Sequence, residues 1–99
     1  LKQGTYAFDA EVWQAQGKGG WHLVTLPEDV ARAIRFHRPQ ARGFMPIAVT
    51  AQIGKTFWRS AVFPDSKSSS FLLAIKAEVR KKEDLKAGDV VRVKVSLAD

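Results

Sequence analysis

A small mainly-β barrel of six strands and two short helices, in the order ββαβββαβ, is the fold this sequence predicts. Three observations carry the prediction. Apolar residues recur at every second position in several short runs, the pattern of a strand with one wet face. Glycine, proline and serine punctuate the chain between those runs. With 99 residues there is one modest core, too small to cover open sheet edges unless the sheet closes on itself. Residues 1–99 are therefore read as a single six-stranded β-barrel domain.

The run Thr5 to Trp13 ("TYAFDAEVW") sets Tyr6, Phe8, Ala10 and Val12 against Ala7, Asp9, Glu11 and Trp13, a half-buried strand with its acids outward. "QAQGKGG" is a connector, and Trp21 to Leu26 ("WHLVTL") is a second strand. Pro27, Glu28 and Asp29 open a helix, because proline suits a first turn and acids there complement the macrodipole. It runs to Phe36 or His37, since Pro39 disfavours helical geometry in the residue before it. Val30, Ala33 and Ile34 form its expected buried side.

Met45 to Ile53 and Thr56 to Phe63 are read as a hairpin, with "PDSKSSS" as the loop after it. Phe71 to Ile75 is a short apolar strand, and "KAEVRKKEDL" a charged helix of two turns. Ala87, Gly88 and Asp89 turn into a last strand, Val90 to Leu97, with Val91, Val93, Val95 and Leu97 inward.

The hairpin contains Gly54-Lys55-Thr56, the letters that close a phosphate-binding P-loop. That motif needs a glycine five positions earlier, where Val49 stands, and a helix afterwards, where "FWRSAVF" alternates like a strand. A two-residue turn fits instead, with Gly54 supplying the positive φ of a type II′ turn. The register then follows: Ile53 faces Thr56, Ala51 faces Trp58, Val49 faces Ser60 and Ile47 faces Val62. Trp58 falls on the core face. Gln52, Thr50 and Ala48 fall on the other, beside Phe57, Arg59, Ala61 and Phe63.

Apolar residues make up 45% of the chain and charged ones 26%, which speaks for a folded chain over a disordered one. No apolar run reaches the roughly 20 residues that span a bilayer. No signal peptide is visible in the given sequence; a cytoplasmic location is the default expectation, with no membrane partner. The chain has no cysteine, which excludes thiolate catalysis and cysteine-held zinc. His22 and His37 lack metal-ligand spacing, so neither a metal nor another cofactor is expected. Asp9 and Glu11 share a strand face but read as its solvated side. No nucleophile motif is present, and the chain is expected not to be an enzyme.

A net charge of +6 favours anionic partners. The densest basic segment is "ARAIRFHRPQARGF", where Arg32, Arg35, Arg38 and Arg42 suit phosphate oxygens. The competing reading makes them the wet side of a helix. Trp21, after a glycine-rich connector, is the candidate surface aromatic; Trp13 and Trp58 are expected to plug the barrel.

The segments "FDAEVWQAQGKGGWHLVTLPEDVARAI", "WRSAVFP", "LAIKAEVR" and "KAGDVVRVKVSLAD" stand in an order and spacing that resemble a bacterial and archaeal family catalogued as a numbered domain of unknown function. The resemblance runs from Phe8 to Asp99. It implies the double-split β-barrel shared with AbrB/MazE-like proteins, and no catalytic residues. Arg59 and Arg80 lie in its most specific pieces and form a candidate second anion site. The chain departs from the family at "DSKSSS", where a glycine is common, and at Ala77, where a basic residue is common.

Two functions are compatible with these residues. One is a non-enzymatic interaction domain for a protein or small ligand. The other is sequence-independent binding of DNA or RNA through the arginine cluster.

Overall fold

The computed structural model describes residues 4–17, 19–38 and 45–98. Within them the chain forms β1 (Thr5–Glu11), β2 (Trp13–Gln14), β3 (His22–Thr25), α1 (Glu28–His37), β4 (Ile47–Ile53), β5 (Thr56–Asp65), β6 (Ser70–Ala74), α2 (Ala77–Glu83) and β7 (Val90–Leu97). All seven strands belong to one sheet in the order β1-β7-β4-β5-β6-β3-β2. Every neighbouring pair is antiparallel. The sheet curls into a half-barrel, mainly β with two helices, as the alternation predicts.

Seven strands stand where six were expected, because Thr5 to Trp13 does not continue as one strand. At Val12 the backbone turns to the approach of β7. The Val12 N–H donates to the Asp89 carbonyl at 2.8 Å, and its own carbonyl accepts from the Gly88 N–H at 2.7 Å. Before this point β1 pairs with β7; after it β2 pairs with β3. One stretch of chain thus supplies both outermost strands, and the sheet must curl for its two ends to reach it.

The β4–β5 hairpin has the predicted register throughout, from Ile53 opposite Thr56 to Ile47 opposite Val62. Gly54 takes φ +59° while Lys55 keeps a negative φ, the type II′ pattern. Trp58 is 8% exposed and stands across from Ala51, which is fully buried. A large ring beside a small residue fills the layer without overpacking. β5 runs two residues further than expected, through Pro64 opposite Phe71. β4 ends at Ile47, opposite Val62, so Pro64 occupies an edge position, where a missing N–H is tolerated.

Helix α1 has Glu28 and Asp29 in its first turn and Arg35 and His37 in its last, both favourable to its dipole. Its buried side is Val30, Ala31 and Ile34; Ala33 is half-buried, so the stripe lies one residue from the expected phase. Helix α2 buries Val79 and reaches the hairpin tip through Glu83. The Glu83 carboxylate accepts from Thr56 Oγ1 at 2.7 Å and from the Lys55 N–H at 3.3 Å. Among the described residues no helix is long and apolar enough to cross a membrane.

The concave side of the sheet holds the core, with Val93 and Val95 of β7 fully buried between Phe8 of β1 and Ala51 of β4. Tyr6 packs at the margin of this core, 6.5 Å from the His37 ring, and its buried hydroxyl has no hydrogen-bond partner among the described residues. Burial pushes its pKa above the usual 10.0, against a smaller opposing pull from the Arg38 charge. The raised folded value means that the neutral phenol stabilises the fold below the unfolded pKa. That contribution is lost as pH rises through the folded value. Tyr6 is the single tyrosine, so ultraviolet titration reads it alone. The native midpoint is expected above about 10 and should return to about 10 in denaturant; equal midpoints would contradict the burial.

Candidate functional site

Strand alternation fixes what the convex side of the sheet presents. β4 turns Ala48, Thr50 and Gln52 outward, and β5 turns Phe57, Arg59, Ala61 and Phe63 outward. β7 contributes Arg92, Lys94 and Ser96, and β1 contributes Thr5, Ala7, Asp9 and Glu11. The register lines these up in rows. One row reads Ala7, Lys94, Gln52, Phe57 across β1, β7, β4 and β5. The next reads Thr5, Ser96, Thr50, Arg59.

Ala7 and Gly54 lower the floor between longer neighbours. A groove of about 530 Å³ opens there, lined by Ala7, Gln52, Gly54, Arg92 and Lys94. Arg92 lies 3.3 Å from the Asp9 carboxylate, an exposed pair of little strength. The Gln52 amide donates to the Gly54 carbonyl at 3.0 Å, which holds the side chain beside the groove. Among the described residues no carboxylate pairs with Lys94 or Arg59. Phe57 ends the row with 64% of its surface exposed. The face therefore offers cations and an open aromatic ring over a shallow, small-residue floor.

The family model of a domain of unknown function, DUF1905, matches residues 8–95. The chain belongs to the DUF1905 family. It matches no curated protein. The DUF1905 match includes Gln52, Phe57, Arg59, Arg92 and Lys94, and so covers most of the convex face.

The arginines of the "ARAIRFHRPQARGF" segment are placed differently in this DUF1905 domain. Arg32 is exposed and pairs with Glu28 one helical turn earlier at 2.9 Å. Arg35 donates to the Ser69 carbonyl at 2.6 Å and lies over the Phe71 ring, 5.2 Å from its centroid. Arg38 donates to the Ala98 carbonyl at 2.8 Å and to the His37 carbonyl at 3.1 Å. Arg42 lies outside the described residues. The three described guanidinium groups thus hold three different parts of the domain.

Arg59 and Arg80 are not brought to one site by hydrogen bonding. Arg59 is on the convex face, whereas α2 meets β5 through Thr56, on the opposite face of that strand. Arg80 donates through Nε to the Ile75 carbonyl at 3.1 Å and anchors the start of α2. Trp21 is 60% exposed. Trp13 does not plug the barrel. It is 36% exposed, and its ring N–H donates to Thr25 Oγ1 at 3.0 Å across the outside of β3. The groove itself escapes sequence reasoning, because Lys94 and Gln52 meet only through the pairing of β4 with β7. Its signal was the alternation that put Phe57 opposite in phase to Trp58.

Proposed function

We propose that this DUF1905 domain is a non-enzymatic binding domain whose contact surface is the convex face of β7, β4 and β5, and whose partner is anionic. The observation that carries the reading is the row Lys94, Gln52, Phe57: a groove-lining cation that pairs with no carboxylate among the described residues, and an open ring on the same face. Monomeric proteins leave single apolar side chains exposed without consequence. Here the exposed ring shares a face with Arg59, Arg92 and Lys94, and the groove beside it is of the size that small ligands or parts of larger ones fill. Both histidines lie elsewhere, on β3 and at the end of α1, so the face has binding groups without an evident acid–base pair. The curl of the sheet, closed by one split strand, favours the double-split β-barrel as its full description.

Nucleic-acid binding through the α1 arginines is the second reading. It draws on Arg32, whose only described partner is an exposed carboxylate. Arg35 and Arg38 support it less, because phosphate binding there would release the carbonyls of Ser69 and Ala98.

Retention on immobilised heparin separates the two. The wild-type domain is expected to bind at low salt and elute as salt rises. The double variant R59E/K94E should elute at markedly lower salt, while R32E should elute near the wild type. Loss of retention in R32E with none in R59E/K94E would move the site to α1.

A further inference from the structure

Resting on the convex-face reading, we infer that the anionic partner is single-stranded nucleic acid, with one base stacked on Phe57 and its neighbouring phosphates held by Lys94, Arg92 and Arg59. The spacing is the first support. Neighbouring strands lie about 4.8 Å apart, so Lys94 on β7 stands roughly 10 Å from Phe57 on β5, with Gln52 between them. Arg59 follows Phe57 by two residues on the same face, about 7 Å along the strand. A ring flanked by cations at these separations matches a chain that alternates flat bases with charged phosphates.

Charge complementarity is the second support. Arg59, Arg92 and Lys94 are the cations of the face, and Asp9 and Glu11 on the outermost strand β1 are its acids; Asp9 lies against Arg92, and neither acid stands in the rows that hold Lys94 and Arg59. Phe57 discriminates among polyanions. A sulfated polysaccharide or an acidic peptide segment has charge but no ring that must stack. In a duplex the bases are stacked on each other and closed to the Phe57 face. An unpaired base has its π-face free, and stacking tolerates any base. Gln52 adds a carbonyl oxygen and an amide within the same row, able to meet a base edge or a sugar hydroxyl.

The test is a fluorescence-anisotropy titration of the full chain with a labelled oligothymidylate of about 12 nucleotides, within the usual site size of such platforms. The wild type should bind, with log affinity falling by about 2 per decade of salt for three phosphate contacts at about 0.7 each. Phe57→Ala should weaken binding roughly tenfold, and Phe57→Tyr, which keeps a stacking ring, should retain it. Lys94→Gln should lower the salt slope by about 0.7. Circular dichroism should show each variant folded, since both positions are on the wet face. No binding of oligothymidylate, or full affinity in Phe57→Ala, overturns the inference. Heparin retention that depends on Lys94 without oligothymidylate binding would overturn it while leaving the convex-face reading intact. Loss of both would remove that reading as well.

Discussion

Replacing Trp58 with alanine is expected to destabilise the domain by about 3–5 kcal/mol, the range for deleting a large buried ring. A chain of this size has roughly 5–15 kcal/mol of stability in all, so the variant should be largely unfolded at modest urea. The cost arises from geometry. Trp58 is the large member of a layer whose cross-strand partner, Ala51, has no side chain able to expand into the vacancy. Urea unfolding followed by far-ultraviolet circular dichroism measures the effect without relying on the tryptophan signal. Trp58→Phe should lose distinctly less. A loss below about 1 kcal/mol in Trp58→Ala would mean that the ring does not plug the core.

Gly54→Ala is expected to cost about 2–4 kcal/mol, from two separable sources. The backbone at φ +59° disfavours any side chain by about 1–2 kcal/mol. A Cβ at this position would also run into the Glu83 carboxylate, which would have to leave Thr56 Oγ1 and the Lys55 N–H. Hydrogen bonds to a charged acceptor contribute about 1.5–3 kcal/mol when well made, less when exposed. A double-mutant cycle with Glu83→Ala separates the terms. In the Glu83→Ala background, Gly54→Ala should cost only the backbone share. Equal costs in both backgrounds would show that the α2 contact contributes nothing at the tip.

The hairpin was legible in the sequence because two independent signals, a turn glycine and a period-two apolar pattern, agree on one register. β7 was legible for a similar reason: its alternation has one apolar phase, and Val91, Val93 and Val95 are all buried. The break at Val12 was not legible. Tyr6 to Trp13 alternates without interruption, and the groups that redirect the backbone belong to Gly88 and Asp89, far along the chain. Ala31 and Ala33 are the same residue type, so the phase of α1 depended on packing rather than on identity.

The candidate site divides along the same line. Clustering of arginines in the sequence is local and visible, but what each guanidinium holds is not. Arg35 and Arg38 reach carbonyls 34 and 60 residues away. Conversely, Arg59 is far in the sequence from Arg92 and Lys94 and joins them only on the folded sheet. Phe57 was placed on the wet face by its phase, yet its neighbours came from another strand pair. A sequence shows which side of a strand a residue takes, and tertiary pairing decides its company.

The split first strand also has a consequence in time. β1 is made before every other strand, and its hydrogen-bonded neighbour β7 is made after them all. While the chain is being synthesised, β4, β5 and β6 can pair in sequence, because each neighbour is short-range. β1 must wait, with Tyr6 and Phe8 uncovered, until Val90 to Leu97 has emerged. Such long-range closure slows folding relative to local hairpins, and unpaired strand edges are where nascent chains associate wrongly. Asp9 and Glu11, outward on β1, put two negative charges on that waiting edge. The same two charges stay on an edge after folding, because β1 remains an outermost strand of the sheet.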